Sequence, residues 1–521
     1  MTFRVTYSVL EADMTELHRE FDAALAGVRL SFGATFPSWV AGQPLESGDL
    51  LESRSPADTR TVLARFHRTP PLALTTAVDS ARAAQRKWAT LQTWQERVAR
   101  IRRAAELISE RRMQLAAVMS LEVGKNRLES LGDVEEAADL LRYYASQVED
   151  SHGFSRALGR LSPNEDTRDV LRPYGVFAVI SPFNFPAALA AGMSGAALLA
   201  GNAVLLKPSE ETPWCAQGLY EAFRDAGLPD GLFQVLHGEG ESIGAALARH
   251  PGIDGVAFTG SSRVGFELHR LMSQGRIRPC LLEMGGKNAA IVCDSADLDA
   301  AVEGCARSAF GLSGQKCSAL SRIYVARGRQ RELLDKLAAR ARAMAIDDPT
   351  RAGVDMGPVI NAAAIERYER AAADARADGV VHVGGERLRG GAFDHGHFVA
   401  PTIASVPRGH RLTRDELFLP FVVVEEFDGI DEAIELANGV PYGLTAGIFT
   451  ARPEEVELFM ERVEAGVLYS NRKTGATTGA WPGVQSFCGW KASGSTGKGG
   501  CGPYYVAQFA REQSQTRMGD A

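Results

Sequence analysis

The sequence predicts an α/β protein centred on a doubly wound parallel sheet of Rossmann type, and three observations carry that expectation. After Pro173, short apolar runs alternate with helical stretches. The spacing of the alternation is that of strand, crossover helix and parallel strand. A second alternating series begins after Glu283, so two α/β units follow one another with a cleft expected between them.

Taken in order, Phe36-Pro37-Ser38-Trp39-Val40-Ala41-Gly42 has the composition of a short strand and turn. From about Leu72 to Val148 the chain reads as helices, with apolar residues three and four apart, as in Val98, Ile101, Ala105 and Ile108. Residues 151–172 are polar, include Pro163 and show no helical period, which suits a protruding hairpin or connector. Strands are predicted from Gly175 to Ser181, Ala203 to Lys207, Phe233 to Leu236 and Gly255 to Thr259, with helices beginning near Ala187, Pro213, Ser242 and Ser262. In the second series, strands are predicted near Ala289 to Val292 and Arg322 to Val325. Helices are predicted near Leu298 to Phe310 and Arg331 to Met344, and further elements to Leu468. From Ser493 the tail is glycine-rich, then polar and aromatic, and has to dock on the rest of the molecule to be ordered.

Composition removes several classes of function. At 521 residues the chain exceeds what one core organises, and 45% apolar with 23% charged residues is an ordinary globular balance. A net charge of −7 offers no basic surface for nucleic acid. The richest apolar window, Phe185 to Leu199, contains Pro186 and is Ala- and Gly-rich, so it reads as a buried helix and not as a membrane span. No targeting segment opens the chain. The seven cysteines, Cys215, Cys280, Cys293, Cys305, Cys317, Cys488 and Cys501, are odd in number and form no CxxC pair. They point to a reducing, cytoplasmic setting, with neither disulfide framework nor metal site.

Five local constellations carry chemistry, and each has a plainer alternative. Ser181-Pro182-Phe183-Asn184-Phe185-Pro186 follows a predicted strand, where Asn184 is either an amide donor for an oxyanion or a turn residue between prolines. Lys207-Pro208-Ser209-Glu210 ends the next strand. Its cation and carboxylate suit a ribose, with Glu210 repelling a 2′-phosphate, or else form a solvated pair before the helix start at Thr212-Pro213. Phe258-Thr259-Gly260-Ser261-Ser262-Arg263-Val264-Gly265 places free backbone N–H groups where a pyrophosphate can meet them, or is a glycine turn with a serine cap. Neither it nor Gly238 and Gly240 makes a GxGxxG fingerprint.

Leu282-Glu283-Met284-Gly285-Gly286-Lys287 sets one carboxylate before two glycines; desolvated in a cleft it would activate water, and in a loop it would merely be solvated. Last comes Phe310-Gly311-Leu312-Ser313-Gly314-Gln315-Lys316-Cys317-Ser318. Cysteine suits attack on an aldehyde, because the thiohemiacetal can expel hydride and leave a thioester. Isolated cysteines are more often inert core, but this one lies in a polar, glycine-flanked run, whereas Cys293 and Cys305 fall in apolar ones.

Together with Glu416-Leu417-Phe418 and Asn438 to Leu444, these motifs occur in the order and spacing of the aldehyde dehydrogenase superfamily, which the chain resembles from about Trp39 to Arg511. The resemblance implies a Rossmann-type NAD-binding domain (residues 1–150 and 174–284), an α/β catalytic domain (285–484) and a small β oligomerisation element (151–173 and 485–521). A homodimer or higher homo-oligomer follows from the last. The resemblance further implies that Cys317 attacks the aldehyde, that Asn184 with the Cys317 backbone N–H holds the oxyanion, and that Glu283 activates water. Ser181, Pro182, Phe183, Lys207, Ser209, Glu210, Gly240, Thr259, Gly260, Ser261, Val264, Glu416 and Phe418 fall at its cofactor positions, with NAD expected over NADP.

Phe183 in place of tryptophan, Ser318 after the nucleophile, and Asn471-Arg472-Lys473 followed by Thr478-Gly479-Ala480 are similar to the branch that oxidises L-glutamate γ-semialdehyde, formed from Δ1-pyrroline-5-carboxylate. There the substrate contacts imply Phe183, Ser318, Gly479, Ala480 and Phe487. Residues 474–477 contain a second Thr-Gly-Ala, leaving two registers for the loop; Ser486, Cys488 and Leu419 depart from the branch pattern. Retention of Glu283 favours water over coenzyme A as acyl acceptor. Another semialdehyde, an aliphatic or aromatic aldehyde, or a non-catalytic binding role on the same fold are the other readings.

Overall fold

In the computed structural model, residues 14–90, 92–473 and 480–519 are described. Five strands run parallel in the spatial order Cys280–Glu283, Gly255–Thr259, Val176–Ile180, Ala203–Lys207, Phe233–Val235. Ser38–Val40 and Gln43–Leu45 extend the sheet antiparallel. Val176–Ile180, Ala203–Lys207 and Gly255–Thr259 are buried along their whole length, which is why they read as unbroken apolar runs instead of alternating ones. Chain order reverses between Val176–Ile180 and Gly255–Thr259, and ligands of doubly wound sheets sit outside the carboxyl ends at such a point. Register levels those ends: Ile180 lies opposite Lys207, and Thr259 opposite Glu283. Ser181, Lys207, Thr259 and Glu283 therefore emerge along one rim.

Behind the sheet lie the helices Ala73–Thr90, Trp94–Glu110, Arg112–Val123 and Arg127–Asp150. The apolar window of the sequence forms Ala188–Leu199, almost wholly buried, with Trp88 Nε1 donating to the Leu198 carbonyl at 2.8 Å. Among the described residues no helix is long and apolar enough to cross a membrane. No group of three or more His, Cys, Asp or Glu among them could hold a metal ion.

A second seven-stranded sheet has the order Val380–Val383, Thr402–Ser405, Phe421–Phe427, Leu320–Ala326, Asn288–Val292, Thr445–Phe449, Val467–Ser470, parallel except at its first pair. Separate apolar clusters cover its two faces, one under Leu298–Phe310 and Gln330–Arg342, the other under Ile430–Asn438 and Pro453–Arg462.

Residues 151–172 do form a hairpin, Ser155–Ala157 against Glu165–Pro173, and Ala510–Met518 pairs along the whole second strand. The rest of the tail goes elsewhere. The Met284 N–H donates to the Ser493 carbonyl at 2.8 Å and the Ser495 N–H to the Leu282 carbonyl at 3.1 Å, so the stretch before Ala510 folds against Glu283. The helix expected near Ser242 begins earlier, as a π turn over Gly240–Gly244 that continues as Ala245–Arg249; glycine at both ends permits the wider turn. The helix Thr15–Arg29 and the small sheet of Ala34–Phe36, Leu50–Arg54 and Val62–His67 add to the expected set.

Candidate active site

The turn before Cys317 is unusual backbone. Leu298–Phe310 ends at Gly311, and Leu312, Ser313 and Gly314 follow with φ of 51°, 53° and 67°. Left-handed φ costs a non-glycine residue about 1–3 kcal/mol and persists only where the surroundings impose it. Here they do: the Leu312 N–H donates to Glu129 Oε1 at 2.7 Å, Ser313 Oγ to the Gly357 carbonyl at 2.8 Å, and the Ile360 N–H to Gln315 Oε1 at 2.8 Å. At the far end Asn288 Nδ2 donates to the carbonyls of Cys317 (2.7 Å) and Ala319 (2.8 Å), while Asn288 Oδ1 accepts the Thr445 N–H at 3.0 Å. Cys317 is thus tied to the central strands of the second sheet.

Gly314 has no room for a side chain: a Cβ there would lie 2.1 Å from the Leu419 carbonyl oxygen, at a φ of +67°. Gly314→Ala is expected to lower stability by roughly 2 kcal/mol or more, because backbone strain and a clash with main chain combine. Thermal unfolding of the variant checks this.

Asn184, buried after the strand Val176–Ile180, donates through Nδ2 to the Gln315 carbonyl at 2.9 Å, two residues before Cys317. An amide nitrogen carries two hydrogens. This bond uses one and leaves one to point elsewhere.

Glu283 ends its strand with Oε2 buried and, among the described residues, without a hydrogen-bond partner. Burial drives its carboxyl well above the usual range, with the Gly489 backbone N–H opposing. Cys317 is close enough to be affected: its thiol is pushed up to about 12 by burial, then by the charges of Glu416 and Glu283, against the N–H groups of Ser318 and Cys317 itself. Burial therefore favours the neutral form of both groups, and Glu283 can accept a proton only once it is ionised.

Along the rim, Lys207 Nζ, buried, meets Glu210 Oε2 at 2.7 Å. Ser209 Oγ takes the Glu211 N–H at 3.3 Å, and the Ser181 N–H donates to the Lys207 carbonyl at 3.2 Å. Thr259 lies buried at its strand end and Gly260 donates to the Glu283 carbonyl at 3.1 Å. Ser261 caps the helix Ser262–Met272 through the Val264 N–H, and Gly240 opens its π turn exposed. Across the cleft Glu416 Oε1 accepts the Gly286 N–H at 2.9 Å, and burial raises its carboxyl to about 7. Phe418, at φ 59°, stands edge-on to Phe183 with centroids 5.9 Å apart, and Pro182 is half-buried beside them. Two adjacent glycines make this approach possible: a Cβ on Gly285 would lie 2.1 Å from Glu416 Oε2, and one on Gly286 2.5 Å from the Cys317 carbonyl oxygen.

One cavity of about 410 Å³ is lined by Cys317, Glu283, Ser318, Ala480 and Phe487. Thr259 reaches it from the rim. Phe183, expected at the substrate as well as the cofactor, does not line it; Phe185 does, because Phe183 is turned toward Phe418. Gly479 lies outside the described residues.

The sequence reading missed a second wall, made by Lys125, Glu129, Glu136, Tyr144, Cys501 and Tyr505. Lys125 and Asp133 form a fully buried pair at 2.7 Å, and the ammonium lies 3.8 Å from the centroid of the Phe185 ring. Glu129 and Glu136 are seven residues apart on the helix Arg127–Asp150, hence on one face. The capping box Asn126-Arg127-Leu128-Glu129 marks in sequence where one helix stops and the next starts, but not that Glu129 faces a cavity.

Known proteins resemble the chain over nearly its whole length. The model of the aldehyde dehydrogenase family matches residues 39–514. 1-Pyrroline-5-carboxylate dehydrogenase 1 of Halalkalibacterium halodurans is 33% identical over 506 residues, covering 96% of each chain. The 1-pyrroline-5-carboxylate dehydrogenase of Bacillus cytotoxicus is 33% identical over 509 residues, again 96% of each. Among solved structures, 1-pyrroline-5-carboxylate dehydrogenase from Thermus with bound NAD superposes with a TM-score of 0.93 at 32% identity, over 99% of this chain and 100% of that one.

Proposed function

Since the chain belongs to the aldehyde dehydrogenase family, we propose that it oxidises L-glutamate γ-semialdehyde, the open form of 1-pyrroline-5-carboxylate, to L-glutamate with NAD and water. The observation that carries the reading is the single cavity in which Cys317 and Glu283 share walls with Ser318, Ala480 and Phe487. Ser318 and the Ala480 backbone suit a carboxylate, Phe487 suits an aliphatic chain, and the Glu136 carboxylate in the opposite wall suits an ammonium. An amino-acid-sized aldehyde therefore finds a partner for each of its groups.

The Cys317 sulfur bonds to the aldehyde carbon as its thiol proton passes to solvent water. The remaining Asn184 amide hydrogen and the Cys317 backbone N–H stabilise the oxygen as it gains charge. NAD, when bound, accepts the hydride that this carbon then loses, and a thioester on Cys317 remains. Glu283 takes a proton from water, the water oxygen adds to the thioester carbon, and the sulfur departs, giving the free acid. The rim fits NAD: Lys207 and Glu210 offer a donor and an acceptor to a ribose, with the carboxylate opposing a 2′-phosphate. Gly260, Ser261 and Val264 offer a helix start to phosphates, while Glu416 and Phe418 face the nicotinamide end. The similarity to the 1-pyrroline-5-carboxylate dehydrogenases of Halalkalibacterium halodurans and Bacillus cytotoxicus supports the substrate, and that to the Thermus enzyme with bound NAD supports the cofactor.

Asn184→Ala is expected to lower kcat by about 100- to 1000-fold, the usual cost of one oxyanion donor, with KM for NAD unchanged; steady-state kinetics checks it. Substrate choice is tested by kcat/KM for glutamate γ-semialdehyde against succinate semialdehyde, hexanal and benzaldehyde. Clear preference for the first is expected, and equal or better use of another would remove the substrate assignment while leaving the chemistry.

We further propose a homodimer or larger homo-oligomer. The three-stranded sheet of the hairpin and tail keeps an outer strand on each side, Ser155–Ala157 and Ala510–Met518. Leu158, Leu161 and Met518 are exposed there, which suits burial against another copy.

A further inference from the structure

The turn that carries the nucleophile is closed by a residue from another part of the chain. Glu129, in the first turn of Arg127–Asp150, accepts the Leu312 N–H through Oε1 at 2.7 Å. Its other oxygen takes the Asn126 N–H at 3.4 Å, and Asn126 Oδ1 takes the Glu129 N–H at 2.9 Å, so the carboxyl has little freedom to swing. At the opposite end of the turn, Lys316 folds its buried ammonium back toward the same carboxyl. Both groups crowd Gly311: a Cβ there would lie 2.8 Å from Lys316 Nζ and 3.4 Å from Glu129 Oε1. Burial raises the Glu129 carboxyl and lowers the Lys316 ammonium, and the attraction between the two groups opposes both shifts.

We propose that Glu129 is a positioning residue for catalysis, holding the turn 312–316 by its hydrogen bond to the Leu312 N–H and by its charge near Lys316, so that Cys317 is kept in attacking geometry. Leu312 and Ser313, consecutive and at positive φ, need an external brace, because neither favours that conformation in a free loop. The brace comes from the helix that also supplies Glu136 and Tyr144 to the cavity wall. The nucleophile and the far wall of the substrate site are therefore set by one rigid element. This inference rests on the assignment of Cys317 as nucleophile.

The test compares Glu129→Leu, which removes both contacts, with Glu129→Gln, which keeps an acceptor for the Leu312 N–H and loses the charge facing Lys316. The rate of the first NADH burst on glutamate γ-semialdehyde reports acylation; NADH affinity and thermal unfolding report whether the rest of the protein is intact. Glu129→Leu is expected to slow the burst by about 100-fold, the order of loss from misplacing a reacting group by an ångström, with NADH affinity within about twofold of the parent. Glu129→Gln is expected to recover part of that rate, remaining about three- to tenfold slower than the parent because the charge near Lys316 is gone.

A burst within about threefold of the parent for Glu129→Leu, or a loss of NADH affinity as large as the loss of burst rate, would overturn the proposal. If Glu129→Leu does not fold, Glu129→Gln decides: a slower burst with unchanged NADH affinity supports the clamp, and an unchanged burst overturns it. Cys317→Ala, run alongside, separates the two assignments, since a burst from that variant removes the nucleophile whatever the Glu129 variants do.

Discussion

Glu283→Gln is expected to release one NADH per active site and then stall. Acylation needs Cys317 and the oxyanion donors, whereas only the second half of the reaction needs a base for water. The loss in steady-state kcat should reach about 1000-fold or more, the upper part of what one acid–base group contributes, while the burst amplitude stays near one. The parent enzyme should reproduce a weaker form of this on acidification. A carboxyl raised by burial becomes a base only as pH climbs through its elevated value, so deacylation slows as pH falls through a range where an ordinary glutamate would still be ionised. That limb should disappear from the pH profile of Glu283→Gln. A profile that keeps it, or a variant that turns over at the parent's rate, would assign the base elsewhere.

Cys317→Ala is the harsher change. With no sulfur there is no covalent adduct, and binding with the oxyanion donors alone leaves only residual catalysis. A drop in kcat of about 10⁴-fold or more is expected, with no burst. NADH should still bind, because the rim that suits the cofactor belongs to the other sheet. Thermal stability should change little: the neighbourhood is pinned by the Cys317 carbonyl through Asn288 and by the preceding turn, not by the sulfur. Dehydrogenase activity surviving in this variant would refute the covalent route.

What could be read from the sequence divides along physical lines. The strands Ala203–Lys207 and Gly255–Thr259 and the helix Leu298–Phe310 have the bounds expected of them, because each is an unbroken apolar or periodic run stopped by a polar or glycine residue. Cys317, Glu283 and Asn184 were readable because each sits at such a stop. The second wall of the cavity was not. Lys125, Glu129 and Glu136 are charged residues in helical sequence, and in one dimension they resemble the solvated face of an amphipathic helix. Lys125 is buried and Glu129 and Glu136 half-buried because Arg127–Asp150 packs against Ala188–Leu199 on one side and the nucleophile turn on the other. The positive φ at Leu312 and Ser313 was hidden for the same reason, since their side chains do not favour it and distant groups impose it. Nor could the two Thr-Gly-Ala registers be separated by sequence. In the structure Ala480, with Ser318 and Phe487, lines the cavity, and the first Thr-Gly-Ala lies outside the described residues.

The central claim joins a nucleophile, a base and a substrate, and one measurement addresses all three. Glu283→Gln would be mixed with NAD and Δ1-pyrroline-5-carboxylate, quenched in acid after the burst and digested. The peptide spanning Cys317 would then be examined by mass spectrometry. The expected result is a γ-glutamyl thioester on Cys317, in an amount matching the NADH released and absent without NAD. NADH release with an unmodified Cys317, or an acyl group carried by another cysteine, would contradict the account.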